Sequence, residues 1–589
     1  MKTFFKLGLL LTVFISLSLM IAPVGATDAS VTTCNLTGAG SISAAVTAAN
    51  SGGGTITYTL SCSTNFSNSA GLQITNNVII DTNGFNVVYN GNSGSRRFFR
   101  VSGSGTLTIN GGVTFQNGSI TLSLLGGGAI HNAGSLNLSN VTFTNNRTAV
   151  WGGGAIFNTG TATLTNVTFE DNASNIAGGG GAIANTGTLT ISNSTFTDNS
   201  ANIVGGGAIY NLNGNSTISN STFTGNNGLG GGAITNIDSP MTILDSTFTD
   251  NTVDVSGGAV WNSFNGAIIE NSTFTGNSAD VSGGAIFNSN VVNISASSFI
   301  NNSADFFGGA IENYGTVNAT NSTFSGNSSA TGGAINNGFG TTNLTYVTLH
   351  GNMGAGGNVA VSDGAVNSTA SIFSDGDCSG AIGDVIGNIQ NNAAGCIGAN
   401  TDPMLEPVTA GVHVPTNVAI EHTPPCSVGT DQLGNARPTG TNCTAGAVEI
   451  DDDAVVIIPE EPEAPAPIVL VIGCVFDTPN GMELADVPDN TYCRVLMRDG
   501  RVTDYHGAIP EVFINLGVIM AVDVYRLEGG RSVVEFPNYA RVCLAGTGRY
   551  FYLDARTSPR AITEMTTEHH DGMTCAWIPA TGTVILTER

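Results

Sequence analysis

The residues of this sequence that are best suited to bind a ligand are aromatic side chains that recur at one position of a repeated segment. The segment reads Gly-Gly-Ala-Ile/Val-x-Asn, and strand alternation predicts that x faces solvent while Ile and Asn face inward. The residues at x are His131, Phe157, Ala184, Tyr210, Thr235, Trp261, Phe287, Glu312 and Asn336. Exposed aromatic rings in line can stack on sugar rings or bind a protein. We therefore predict a ligand-binding stripe made of His131, Phe157, Tyr210, Trp261 and Phe287. Two alternatives remain, namely that a loop or the chain's own tail covers these residues, or that they are ordinary aromatic residues of a β-sheet.

Paired carboxylates are the second set of residues that could do chemistry, because glycoside hydrolysis uses two of them about 5–10 Å apart. The candidate pairs are Glu170 with Asp171, Asp245 with Asp250, and Asp375 with Asp377. Each residue also fits a turn or solvent position, and no column of carboxylates on one face is predicted. The sequence therefore predicts no catalytic residue. It favours a protein that is not an enzyme and leaves a polysaccharide-degrading enzyme, a hydrolase before a lyase, as the alternative.

The charge pattern excludes several classes of partner. The chain has 589 residues with 17 Lys and Arg against 43 Asp and Glu, a net charge of −26, and its only lysines are Lys2 and Lys6. Nucleic acid and anionic membranes need a basic surface that this chain lacks. A uronate lyase is disfavoured for the same reason, since up to Glu449 the cations beyond Lys6 are Arg96, Arg97, Arg100, Arg147 and Arg437.

A repeat of about 25 residues organises the centre of the chain. Gly-Gly-Ala begins at residues 127, 153, 180, 206, 231, 257, 283, 308 and 332. A second motif, Phe-x-x-Asn, runs in phase, with Phe at 143, 169, 196, 223, 248, 274, 299 and 324 and Leu349 in the last unit. A period of this length indicates stacked structural units.

The repeat predicts strands rather than helices, because it is rich in Gly, Asn, Ser and Thr and its apolar residues alternate, as in Thr188-Leu189-Thr190-Ile191. We predict an all-β fold, a right-handed parallel β-helix of about 12 coils, since parallel crossovers are nearly always right-handed. Ile, Phe and the Asn after x should form inward columns, the Asn as an amide ladder. The residue before the Phe-motif Asn is always Gly, Asn or Asp, which predicts a turn. Asp171, Asp198 and Asp250 at this position could bind calcium, but the turn explains them without a metal.

The remaining segments complete the predicted domain organisation. A basic start, an apolar run and small residues predict a signal peptide over 1–26. An N-terminal cap with a short helix over 41–50 follows at 27–70, and the β-helix occupies 71–375. A closing segment spans 376–450, an acidic Pro-rich linker 451–467, and a small disulfide-linked β domain 468–589.

Ten cysteines in an exported chain predict disulfides. Proximity pairs Cys34 with Cys62, Cys378 with Cys396, and Cys426 with Cys443, and leaves three possible connectivities among Cys474, Cys493, Cys543 and Cys575. No cysteine or histidine cluster has zinc spacing, so no metal site and no cofactor are predicted.

The paired Gly-Gly-Ala-Ile and Phe-x-x-Asn motifs resemble the repeats of chlamydial polymorphic outer membrane proteins over about 127–352. That resemblance implies a surface adhesin with a β-helical body. Residues 402–449, which include Asp402-Pro403-Met404-Leu405 and Thr430-Asp431-Gln432-Leu433-Gly434, resemble the choice-of-anchor Q segment of extracellular β-helix proteins. The usual Gly-Ser-Pro-Ala-Ile-Asp run of that segment is absent around 413–425, and the likeness brings no catalytic residue.

Together these features predict a secreted or cell-surface, adhesin-like protein that binds glycans or a cell-surface protein. No nucleic-acid partner is predicted, nor a membrane span after signal cleavage. A third hypothesis is a passive envelope protein without a specific ligand. The sequence does not indicate an oligomeric state.

Overall fold

The computed structural model describes 26–67, 70–92, 94–121, 126–176, 178–203, 205–408, 411–415, 428–437 and 443–449, with strand backbone alone between 474 and 587. The side chain of Asp384 is also not described. The chain divides into two compact units, Met1–Val455 and Val456–Arg589. Residues 1–25 of the predicted signal peptide, the predicted linker and Cys426 lie outside the described residues.

The first unit is a stack of parallel strands in three long sheets, which we number 1 to 3. Sheet 1 contains Ala29–Val31, Gly54–Tyr58, Cys62–Asn65, Asn77–Asp81, Val87–Asn90, Thr106–Gln116, Ser135–Thr144, Thr161–Glu170, Thr188–Ser192, Thr195–Thr197, Asn215–Ser219, Thr222–Thr224, Met241–Leu244, Thr247–Thr249, Ala267–Glu270, Thr273–Thr275, Val291–Ser295, Ser298–Ile300, Thr316–Thr320, Thr323–Ser325, Thr341–Thr345, Thr348–His350, Ala365–Thr369, Ile372–Ser374, Ile382–Ile386, Ile389–Asn391 and Ala399–Asn400.

Sheet 2 contains Leu72–Ile74, Phe99–Val101, Ile130–Asn132, Ile156–Asn158, Ile183–Asn185, Ile209–Leu212, Ile234–Ile237, Val260–Ser263, Ile286–Asn288, Ile311–Asn313, Ile335–Asn337, Val359–Val361 and Cys378–Ser379. Sheet 3 contains Ser119–Ile120, Arg147–Thr148, Ala173–Ser174, Ser200–Ala201, Asn227–Gly228, Thr252–Val253, Ser278–Ala279, Ser303–Ala304, Ser328–Thr331 and Met353–Ala355. Gly179–Gly180 pairs with Gly205–Gly206 in a short extra sheet.

This arrangement confirms the predicted parallel β-helix. Each repeat is one turn, and equivalent residues pair in register, as Ile130 does with Ile156 and Ile156 with Ile183. Sheet 2 has 13 strands, so the helix has about 13 turns where the sequence predicted about 12. One turn alone cannot bury its inner face, whereas stacked turns bury one continuous core.

The core contains a column of phenylalanines in which each ring lies nearly parallel to the equivalent ring of the next turn. Nine buried rings stack from Phe115 to Phe324, with centroids 4.6–4.9 Å apart and interplanar angles of 2–10°. Adjacent strands usually rotate by roughly 20–25°. Rings that stay this parallel show that the stack has little twist.

Two buried asparagine ladders satisfy the polar backbone at the corners. The predicted ladder after x is present, since Asn132 Nδ2 donates to Asn158 Oδ1 at 2.7 Å and the pattern continues to Asn337. The second ladder uses the Asn of Phe-x-x-Asn. Asn226 Nδ2, for example, donates to Asn251 Oδ1 and to the carbonyl of Phe196, at 2.9 and 3.0 Å. Buried amides must be paired in this way, because each unpaired group costs about 1–3 kcal/mol.

The predicted turn position before the second Asn is confirmed at all nine copies. The φ angles run from 52° to 65° at Asn145, Asp171, Asp198, Gly225, Asp250, Gly276, Asn301, Gly326 and Gly351. Only Gly, Asn and Asp adopt this left-handed conformation at low cost. The turn geometry therefore accounts for the aspartates at this position.

The glycines of the Gly-Gly-Ala motif are needed for a different reason, which is that the backbones of successive turns approach each other closely there. A Cβ on Gly258 would overlap the carbonyl oxygen of Gly284 in the next turn, and one on Gly232 would overlap that of Gly258. Glycine is required here because no side-chain atom fits between successive turns.

The N-terminal end is covered by the predicted helix, α1 (Ile42–Gly52), whose N-cap Ser41 accepts a hydrogen bond from the amide of Ala44. Ile42, Ala45, Val46 and Ala49 are buried against the first strands. The disulfide between Cys34 and Cys62 is present, as is that between Cys378 and Cys396. Cys443 is disulfide-bonded.

The described closing residues pack on the outer face of sheet 1. Gln432 bonds to Ser298 Oγ and Thr323 Oγ1 at 2.8 and 2.7 Å. The buried Arg437 forms an ion pair with Glu449 at 2.5 Å and lies 4.0 Å from the ring centre of Tyr346. Residues 428–437 and 443–449 therefore cover the last turns of this face.

The second unit contains two antiparallel sheets. One contains Cys474–Asp477, Glu535–Ala545, Met573–Ala580 and Glu568–His570, and the other Thr491–Arg498, Arg501–Val502, Val518–Glu528, Arg531–Val533, Gly582–Thr587, Arg549–Asp554 and Ala561–Glu564. The predicted β domain is therefore confirmed at the level of strands, while its cysteine pairing lies outside the described residues. Among the described residues, no helix is long and apolar enough to cross a membrane.

Candidate binding face on sheet 2

The predicted stripe lies on the outer side of sheet 2, where x alternates with the inward Ile and Asn. Inward Ile130, Ile156 and their equivalents are fully buried. The strands pair in register, so that His131 lies beside Phe157 and Trp261 beside Phe287. The placement of x on one column is therefore correct, but its exposure differs along the column.

The exposure predicted for His131, Phe157 and Tyr210 is wrong, because these side chains are 4%, 0% and 7% exposed. Trp151, just before Gly-Gly-Ala, packs edge-on against Phe157 with ring centres 4.9 Å apart. The space beside Gly178 in the next turn is filled by Trp151 and Tyr210. The loop before Gly152 thus covers Phe157 with Trp151, and cover by a loop is one of the alternatives that the sequence left open.

His131 is also in an unfavourable place for charge. Burial, together with Arg97 and Arg100, lowers its pKa to about 4. Arg97 is itself buried and donates to the carbonyls of Gly127 and Gly126 at 3.0 and 3.1 Å. The first half of the column therefore serves packing.

Among the x residues, only Trp261 and Phe287 are partly exposed, and they begin a strip of aromatic rings that continues into the following turns. Trp261 and Phe287 are half-buried and their ring centres lie 4.9 Å apart. The ring centres of Phe287 and Tyr314 lie 5.6 Å apart. Those of Tyr314 and Phe339 lie 5.7 Å apart, with an interplanar angle of 25°. Tyr314 and Phe339 are 41% and 67% exposed. We call Trp261, Phe287, Tyr314 and Phe339 the aromatic strip.

Tyr314 and Phe339 were missed by the sequence reasoning, because they stand in the turn after the motif Asn rather than at x. Most other turns carry small or aliphatic residues directly after this Asn, such as Thr159, Thr186 and Ser289. An aromatic residue in Asn-Tyr-Gly and in Asn-Asn-Gly-Phe-Gly was the available signal.

A buried carboxyl lies beside the strip. Glu312 occupies x and is fully buried, and its two carboxyl oxygens accept hydrogen bonds from Asn336 Nδ2 at 3.1 and 2.8 Å. Tyr314 also bonds to it. Burial raises the pKa of Glu312 to about 7, in spite of these two hydrogen bonds. Within the described residues, Asn336 Oδ1 is buried without a hydrogen-bond partner.

This arrangement combines partly exposed rings with one buried acid, Glu312. The flat rings provide stacking surfaces, while Glu312 and Asn336 are buried and form hydrogen bonds with each other. The candidate hydrolase residues lie elsewhere. Asp171, Asp245, Asp250 and Asp375 all have left-handed backbone angles, φ 46–53°, as expected for turn residues.

A comparison with protein-family models identifies the type of repeat. The Chlamydia polymorphic membrane protein repeat matches residues 140–159, 193–212, 245–263 and 271–289. Each match begins beside the buried Phe of sheet 1 and ends at the x-Asn strand of sheet 2, so one unit contains both columns. Searches of curated proteins and of solved structures gave no significant match. The chain is therefore a parallel β-helix protein that carries repeats of the Chlamydia polymorphic membrane protein type.

Proposed function

We propose that this chain is a surface or outer-membrane, adhesin-like protein that binds glycans through the aromatic strip and does not transform them. The repeat family and the β-helix support the surface role. The observation that carries the proposal is the run of four partly exposed rings beside the buried Glu312–Asn336 pair. His131, Phe157 and Tyr210 are not part of this site, because they are buried.

The ring geometry favours a sugar over a flat protein partner. Successive rings are 4.9–5.7 Å apart but tilted by 25–49°, so the strip is a stepped rather than a continuous plane. Single sugar rings can stack on such steps. Tyr314, which is hydrogen-bonded to the buried Glu312, provides one of the aromatic rings of the strip.

The test is binding of the full chain to a panel of plant, algal and bacterial polysaccharides. Replacing both Trp261 and Phe287 with Ser should weaken binding to the recognised polymer by about tenfold or more, since each ring contact is worth about 0.5–1.5 kcal/mol. The matched control is Ile268→Ser, which removes a 46% exposed apolar side chain from sheet 1. Equal binding by both variants would contradict the proposal.

The same incubation distinguishes the enzymatic alternative. A binding protein leaves the number of sugar chain ends unchanged. Release of new ends from any polymer would replace the proposal with a polysaccharide-degrading activity.

A further inference from the structure

A second outward surface, on sheet 1, is more regular than the aromatic strip. It is made by the sheet 1 residues directly before and after each stacked Phe, which point outward. Over six consecutive turns, eleven of these twelve positions are threonine and the twelfth is Glu170. The threonines are Thr142, Thr144, Thr168, Thr195, Thr197, Thr222, Thr224, Thr247, Thr249, Thr273 and Thr275. We call this surface the threonine face.

The fold does not require this uniformity. These side chains are exposed or half-exposed, and in the described part of the chain their hydroxyls form no hydrogen bond to protein. Elsewhere on the helix, outward hydroxyls do bond to each other, as Thr165 and Ser192 do at 3.2 Å. Stacking in the core explains why Phe repeats in every turn, but it does not explain why threonine repeats on both sides of it.

The face is flat and firmly held. The stacked Phe rings beneath it turn by no more than 10° from one strand to the next. On one side each strand is fixed by the Asn ladder. On the other side, from residue 194 onward, a buried Ser binds the neighbouring turn, as Ser221 Oγ accepts from the Ser194 amide at 3.2 Å.

The outward threonine side chains therefore form two rows along the stack. Each row repeats with the spacing of the turns, and the two rows lie at a different, fixed distance from each other. Along the stack the period is that of the turns, 4.6–4.9 Å. Across the strand, residues i and i+2 are about 6.6 Å apart. Hexagonal ice repeats its oxygen atoms with two perpendicular periods of similar lengths on its prism planes. A rigid array of methyl and hydroxyl groups on such a grid can hold water molecules in ice-like positions.

Other occupants fit the face less well. It has no aromatic ring on which a sugar could stack, and no large apolar side chain of the kind that dominates protein interfaces. It has one charge in twelve positions, so it offers little to a charged partner. In the following turns, Gln432 bonds to Ser298 and Thr323, whereas the eleven threonines themselves keep exposed or half-exposed side chains.

We propose that the threonine face binds ice. This inference goes beyond the proposed glycan binding and uses a different sheet, so the two can fail separately. The full chain should slow the growth of a single ice crystal and inhibit recrystallisation of fine ice, in comparison with an equal concentration of an unrelated acidic protein.

Variants at the centre of the face provide the decisive test. Thr222→Tyr with Thr247→Tyr places two rings on the grid and should remove most of the ice-growth inhibition. A second pair, Thr197→Glu with Thr249→Glu, uses a residue that the chain already accepts at Glu170 and should have the same effect. The matched control is Thr252→Tyr on sheet 3, which should keep full activity, as should Trp261→Ser with Phe287→Ser.

Circular dichroism and melting curves establish that each variant is folded. The proposal is overturned if the unmodified chain does not affect ice growth, or if both central pairs keep the activity. It is also overturned if the central pairs leave ice growth inhibition intact but abolish attachment to an insoluble polysaccharide.

Discussion

The two outward faces of this β-helix differ in how strictly their residues repeat. The threonine face places the same residue at eleven of twelve positions, whereas the nine x positions on sheet 2 hold eight different residue types. Both faces are carried by the same repeat, over equally uniform inner columns of Phe, Ile and Asn. The inner columns must repeat because each turn packs on its copies, but outward positions carry no such requirement.

The difference shows what each face is suited to bind. A ligand that is itself periodic is matched by a periodic surface, and a discrete ligand by residues that differ from turn to turn. The aromatic strip has rings at particular turns only, as the proposed binding of a discrete ligand requires. The threonine face differs along its length only at Glu170.

The largest expected effect comes from Phe223→Ala, which removes one ring from the stack beneath the threonine face. Its side chain is fully buried and stacks on two neighbours at 4.6 and 4.7 Å. Truncating such a ring costs about 3–5 kcal/mol of unfolding free energy. Denaturant unfolding measures this loss, and Phe264→Ala, at a 73% exposed side chain, is the control. A change of similar size in both variants would show that the stack does not hold the turns together.

Glu312→Gln should have the next largest effect, and it should depend on pH. The folded pKa of about 7 lies above the unfolded value of 4.5, so Glu312 folds preferentially in its protonated form. Its contribution to stability is fully present below the unfolded pKa and is lost as pH rises through the folded pKa. The neutral variant should therefore match the native protein at about pH 4 and exceed it by up to roughly 3 kcal/mol at about pH 9.

The measurement is the difference in unfolding free energy between the two proteins across this range. The difference is informative because the low pKa values of buried His131 and His413 change stability equally in both. A difference that is independent of pH would show that Glu312 is not the buried acid described above.

Trp261→Ser with Phe287→Ser should lower stability less, by roughly 2 kcal/mol, because both rings are only half-buried. The variant should melt in a single transition and lose glycan binding without losing the threonine face. Loss of cooperative unfolding would show that these rings support the fold and that their binding role must be tested with milder changes, such as Trp261→Phe.

The smallest effect on stability is expected for Thr222→Val with Thr247→Val, which keeps the outward methyl groups and removes two hydroxyls. Exposed substitutions of this kind stay within about 0.5 kcal/mol. Ice-growth inhibition should fall in this variant, and Glu170→Thr, which completes the array, should retain or increase it. Unchanged inhibition after loss of both hydroxyls would show that the methyl groups alone order the water.

The fold was predictable from the sequence because its determinants are local and repeated. Gly-Gly-Ala-Ile-x-Asn marked one strand, Phe-x-x-Asn another, and the Gly, Asn or Asp before the second Asn marked a turn whose positive φ the structure confirms. Alternation within a strand correctly separated inner Ile130 from outer His131.

The site was less predictable because exposure depends on what packs above a strand. Alternation does not reveal that Trp151 covers Phe157, since their contact depends on where the bend before Gly152 places the Trp151 side chain. The polar pair of Glu312 and Asn336 was also hidden, because both residues looked like ordinary members of a variable position. Tyr314 and Phe339 belong to the strip only because the turns after Asn313 and Asn337 place their rings beside the outer face of sheet 2.

The most direct test of the central claim is equilibrium binding of the full chain to the best polysaccharide of the panel, with the native protein and the Trp261→Ser, Phe287→Ser variant compared side by side. The account predicts saturable binding by the native chain, a loss of affinity of about tenfold or more in the variant, and no new sugar ends in either. Equal affinity of the two proteins for that polymer would contradict it.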